Sequence, residues 1–228
     1  MTEKDQQLWA ELEKEYGCKA DVVRFLISEG ADTEVKNENG WLPLNLAISN
    51  CSTDVALALI DMGADVNATD ERRWTPLHYV FVLRRHPDIA QALIAKGVDA
   101  NAKSTDNFTP LILAAANGYA DVIHPLIDAG AEVDVRGNND GTALMAAAYS
   151  GHADVVQVLI EKGADVTAVG TDGKTAVDYA EATGKTALAA TLRQEQARAV
   201  FKAAADRGTT KKRPIRHRVV SSVDSFKT

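Results

Sequence analysis

Two cysteines among 228 residues, Cys18 and Cys51, are too few for a disulfide-knitted scaffold. The five histidines (78, 86, 124, 152 and 217) do not gather near them, and a zinc site needs about four ligands at close spacing. No metal or cofactor is expected. No stretch approaches the ~18–20 uninterrupted apolar residues of a membrane-spanning helix. The opening MTEKDQQLWAELEKEYG is charged throughout, without the basic stretch and apolar core of a secretory leader. The expectation is a cytosolic protein with no membrane contact. Catalytic motifs are missing too: no serine or cysteine sits in a strained elbow, and no glycine-rich phosphate loop follows a strand. GNNDG (137–141) and GTDG (170–173) are turn-rich but lack the acidic spacing of a calcium loop. Catalysis is not expected.

Positive charge is scarce over most of the length. Residues 1–201 hold 17 Lys/Arg against 30 Asp/Glu, a net of −13, whereas residues 202–228 hold 8 against 2, a net of +6. An acidic body therefore carries a basic tail.

What the chain has in plenty is itself. Gly-Ala-Asp or a close variant begins at residues 30, 63, 97, 130 and 163, in steps of 33, 34, 33 and 33. Upstream of each glycine stands an apolar quartet at i, i+1, i+4 and i+5, such as Val55/Ala56/Leu59/Ile60 and Val155/Val156/Leu159/Ile160. That spacing lays one stripe along a helix of ~3.6 residues per turn. The glycine then supplies the left-handed residue that stops it. A second, shorter helix starts at the proline of WTPLH: Thr75 caps and Pro76 takes the first helical position, as do Thr109 and Pro110. Thr142 and Thr175 keep the cap with alanine following. Each unit reads as turn, short helix, tight turn, longer helix and glycine stop. Two short helices cannot bury their apolar faces alone, so the units must stack.

WTPLHY (74–79), FTPLILAAANG (108–118) and TALMAAAYSGHADVVQVLIEKGADV (142–166), with this period, resemble ankyrin repeats over roughly residues 8–195. The resemblance implies an all-α solenoid. Its units would be an N-terminal cap at ~1–36, repeats at ~37–69, ~70–103, ~104–136 and ~137–169, and a C-terminal cap at ~170–207 whose helix continues through LRQEQARAVFKAAADR. It also implies that His78 and His152 bond turns and pin one unit to the next. Departures mark local weak points. Leu42 and Asn45 stand where the motif has Thr and His, so that unit should lose its cap. VLRRHPD (82–88) carries one extra residue. Pro125 is tolerable if its helix begins near Ala120 and kinks it otherwise. Cys18 and Cys51 fall 33 apart on neighbouring units. Stacked helices lie ~8–10 Å apart, beyond the ~7 Å a disulfide tolerates, so two thiols are expected.

The position before each cap holds Trp41, Trp74, Phe108, Gly141 and Lys174. The resemblance places that slot on a turn facing the concave groove, within the family's usual contact set. Three aromatics in register would make a ladder ~10 Å per rung, with Arg72 and Arg73 beside it and Tyr149 to one side. Trp, Tyr and Arg are the residues most enriched at binding hot spots. The expected function is non-catalytic binding of a protein partner by a free monomer, as an adaptor, inhibitor or immunity-type protein. The acidic body repels nucleic acid, because single-strand binders pair stacking aromatics with a basic track. The tail keeps a second reading open. Lys211, Lys212, Arg213, Arg216 and Arg218 could meet nucleic acid or nuclear-import machinery, RVVS (218–221) resembles a phosphorylation site, and the segment could instead lie solvated or fold back on the acidic groove.

Overall fold

A computed structural model describes residues 1–14, 17–50, 52–83 and 87–209, with side chains as far as 205. Cys51, Arg84, Arg85, His86 and the basic tail, with Lys211, Lys212, Arg213, Arg216 and Arg218, lie outside the described residues. Among the described residues the regular elements are helical and come in pairs. Unit 1 contributes α1 (Glu3–Leu12) and α2 (Ala20–Ser28), unit 2 α3 (Pro43–Asn50) and α4 (Thr53–Asp61), and unit 3 α5 (Pro76–Val82) and α6 (Pro87–Ala95). Unit 4 follows with α7 (Pro110–Asn117) and α8 (Ala120–Asp128), unit 5 with α9 (Ala143–Ser150) and α10 (Ala153–Glu161), and unit 6 with α11 (Ala176–Ala182) and α12 (Thr186–Thr209). The first helices stack on one another in chain order from α1 through α11, and the second helices do so from α2 through α10. This is the all-α solenoid expected from the repeats.

The start and stop chemistry is that of the sequence. Thr109 Oγ1 accepts from the Ile112 N–H and Thr142 Oγ1 from the Met145 N–H, each satisfying one orphan donor of its helix. At the far ends Gly30, Gly63, Gly97, Gly130 and Gly163 all have φ between 80° and 98°. Each is followed by a bond that reaches back across the last turn, as from Ala64 N–H to the Leu59 carbonyl at 3.0 Å. One continuous core runs through the stack, from Leu8 and Leu12 at one end to Ala189 and Leu192 at the other.

Three features differ from the sequence reading or refine it. The first unit opens at Thr2, which caps α1 in a reciprocal box with Asp5. The buried Asp5 also accepts from the Asp32 N–H at 2.9 Å, so its carboxyl is held below the usual range chiefly by backbone N–H groups. Helix α8 does begin at Ala120, and Pro125 falls in its second turn, where it withholds an N–H from the helix. Neighbouring units are also tied through asparagines. Asn101 donates to the Gly130 carbonyl at 2.7 Å and accepts from the Glu132 N–H at 2.9 Å, and Asn67 accepts from the Asp99 N–H at 2.7 Å. Cys18 is half-buried and bears a thiol.

Candidate functional site

Each turn joins the first helix of its unit along one face of the stack, and the shape of that face starts in the turn. In unit 3, Asp70 heads the loop. Its Oδ1 accepts from the backbone N–H groups of Arg72 (2.9 Å) and Trp74 (2.7 Å), and its Oδ2 from the Tyr79 hydroxyl (2.6 Å). Arg73 takes a left-handed φ of 60° to complete the turn. The carboxylate thereby fixes Trp74 and Tyr79 relative to each other. Burial, reinforced by Asp70, raises the Tyr79 phenol above its usual range and keeps it protonated. In unit 2 Asn37 braces the turn backbone, accepting from the Asn39 and Trp41 N–H groups at 3.0 Å each, without a tyrosine bond among the described residues.

Trp41, Trp74 and Phe108 are half-buried, not freely exposed, and they do not form one row. Trp41 leans across the unit boundary onto Tyr79, ring centres 5.1 Å apart, and Trp74 meets the same tyrosine edge-on at 5.4 Å. Those three rings, with Asp70, Glu71 and Arg72, border a cavity of about 360 Å3. Phe108 lies farther along and borders a second cavity, with Tyr149 and Tyr179. Arg72 and Arg73 stand exposed on the turn, and Tyr149 is 58% exposed. Tyr79 and Tyr179 were not among the residues singled out from sequence. They occupy equivalent positions, four residues beyond Thr75 and Thr175, and the aromatic ending of TPLHY was their signal.

His78 and His152 are structural. His78 Nδ1 accepts from the Thr75 N–H (3.2 Å) and hydroxyl (2.8 Å), so the ring proton resides on Nε2 and is donated to the Phe108 carbonyl of the next unit at 3.1 Å. Burial pushes its pKa below the ordinary value and holds it neutral. His152 Nε2 reaches back to the Ala116 carbonyl of unit 4 at 3.2 Å. Its ring presses on Gly118, where φ is 81° and a Cβ would come within 2.7 Å of Nδ1. In unit 2 the pattern lapses: Asn45 is fully buried, and neither end of its amide has a hydrogen-bond partner. Among the described residues no cluster of His, Cys, Asp and Glu could hold a metal, and no helix is long and apolar enough to cross a membrane.

The family model for ankyrin repeats matches residues 14–70, 69–137 and 111–203. The chain belongs to the ankyrin-repeat family. Among curated proteins none matches it. Ankyrin repeats are generally protein–protein interaction modules, and that places a protein among the partners of this chain.

Proposed function

We propose that this ankyrin-repeat protein binds its partner, without catalysis, on the face made by the turns and first helices, with Trp41, Arg72, Arg73, Trp74, Phe108 and Tyr149 in the contact. The observation that carries this reading is the convergence of aromatic and arginine side chains on one face beside two cavities, of about 360 and 240 Å3. Such anchors and pockets supply most of the free energy at protein interfaces. With no reacting constellation beside them, the role that fits is to position or occlude a partner, as an adaptor, inhibitor or immunity-type protein does.

The test is affinity capture with the wild type beside an Arg72→Glu/Arg73→Glu/Tyr149→Ala variant. These three side chains are exposed, so the thermal melt should be unchanged while the captured protein is lost. Undiminished capture by the variant would remove this face from the interface. Charge asymmetry supports a second reading, in which the +6 tail contacts nucleic acid or nuclear-import machinery while the repeats hold a protein. Nucleic-acid binding that falls steeply with salt and disappears on deleting 209–228 would favour it.

A further inference from the structure

Unit 5 lacks bulk at two neighbouring positions of the same face. Where units 2, 3 and 4 carry Trp41, Trp74 and Phe108, it has Gly141. Four residues beyond the cap position, where other units carry Leu46, Tyr79, Leu113 and Tyr179, it has Ala146. The backbone does not demand the glycine. Gly141 sits at φ −67°, ψ 138°, an extended conformation open to any residue. A Cβ there would lie 3.2 Å from the Asn138 carbonyl, close enough to need a shift of a few tenths of an ångström. Where the bulk is missing the face opens into the cavity of about 240 Å3, walled by Phe108, Ile112, Met145, Tyr149 and Tyr179. Tyr149 and Tyr179 meet edge to face at 6.3 Å along one side.

The molecule shows what fits such a slot, since three units fill it with an aromatic ring of their own. Charge around the opening selects what flanks the ring. Asp106 and Asp140 are exposed on the adjoining turns, and among the described residues neither forms an ion pair. Of the nearby cations, Lys174 pairs with Asp172 at 3.2 Å, while Arg136 keeps its charge but is held in the turn by the carbonyls of Asp140 and Val169, both at 2.9 Å. Beyond this rim the body carries a net of −13 over residues 1–201. An acidic surface steers and retains a basic partner segment.

We propose that the gap at Gly141 and Ala146 receives an aromatic side chain of the partner protein, carried on a basic segment. This rests on the binding face proposed above and names the chemistry that face selects. The chain has three methionines, and Met145 lines the pocket while Met1 and Met62 lie elsewhere, so methyl signals report on it with two internal controls. The full chain, labelled at its methionine methyls, is titrated at low salt with N-acetyl, C-amidated Lys-Trp-Lys, Lys-Ala-Lys and Glu-Trp-Glu. The expected result is a shift of Met145 alone with Lys-Trp-Lys, none with Lys-Ala-Lys, and roughly fivefold or weaker binding of Glu-Trp-Glu. Gly141→Trp, which fills the gap from within, should abolish the shift. Ala146→Phe serves the same purpose if the first variant melts early. The proposal is overturned if Met145 stays still, if Met62 moves with it, if both tryptophan peptides bind alike, or if the filled variant titrates as the wild type does. A Met145 shift that depends on protein concentration before peptide is added would put a second copy in the pocket and overturn it as well. Failure here alongside loss of capture in the Arg72/Arg73/Tyr149 variant would dismiss the pocket and leave the binding face standing.

Discussion

Units 2 and 3 are adjacent, share one period and bury the same apolar stripe, yet they hold themselves together differently. Unit 3 has Thr75 and His78. One imidazole there closes the start of α5 and ties it to unit 4 through the Phe108 carbonyl. Unit 2 has Leu42 and Asn45. An asparagine amide is one bond shorter than the Nε2 side of an imidazole, and it is stranded in the core with neither end paired. The difference separates two contributions that a repeat usually blends. Apolar stacking suffices to form a unit, while the polar bridge sets how firmly it grips the next.

The largest expected effect follows from removing the bridge where it exists. His78→Ala deletes a fully buried ring and leaves the Phe108 carbonyl and the Thr75 N–H without their partner, at a cost of about 3 kcal/mol. Asn45→Ala, at the equivalent position, removes a polar group that makes no hydrogen bond and should change stability by no more than about 1 kcal/mol. Denaturant midpoints of the two variants check this directly. Equal losses would mean that the amide is bridged in solution and that the contrast between the units is illusory.

A smaller effect should come from converting one unit into the other. Leu42→Thr with Asn45→His should gain about 1 kcal/mol, since the cap and the bridge outweigh the apolar burial lost with the leucine. Leu42→Thr alone should destabilise, because Asn45 cannot complete the pair. The two changes therefore couple, and a double-mutant cycle measures by how much. Additive single effects would show that His78 and Thr75 act independently in unit 3 as well.

Much of this was legible in the sequence because a fixed period carries position with it. The glycines that stop the second helices and the caps at Thr109, Thr142 and Thr175 are local chemistry, and each is where its spacing put it. The weakness of unit 2 was legible in the same way, from two letters. Contacts between units were harder to read. Trp41 is half-buried because Tyr79, 38 residues later, leans against it, and alignment of one slot says nothing about what the following unit projects there. The ties at Asn67 and Asn101 have a visible signal in DVNA and DANA, but it lies outside the Thr-Pro motif that marks the repeat. In the sequence Gly141 is only the residue that follows Trp41, Trp74 and Phe108 in the same slot, an absence of bulk with no surroundings. Only with Ala146 and the walls around it does that absence become a cavity.

The smallest effect is a pH dependence that His78 brings to unit 3 and that Asn45, which does not titrate, cannot bring to unit 2. His78 is held neutral in the folded chain, mainly by burial; the Phe108 carbonyl, Asp70 and Asp99 favour the proton but do not outweigh it. Its folded pKa thus lies below the value of about 6.5 at which the unfolded chain takes up the proton. Between those two values the unfolded state binds more protons than the folded one, so stability rises with pH. The contribution is fully present above about pH 6.5 and is lost as pH falls below it. The check is the difference in denaturant midpoint between the wild type and His78→Gln, followed from pH 7.5 downward, since groups common to both proteins cancel in that difference. The gap should narrow on acidification. A gap that widens instead would mean that Asp70 and Asp99 hold the ring protonated, and that the bridge to Phe108 is made by an imidazolium.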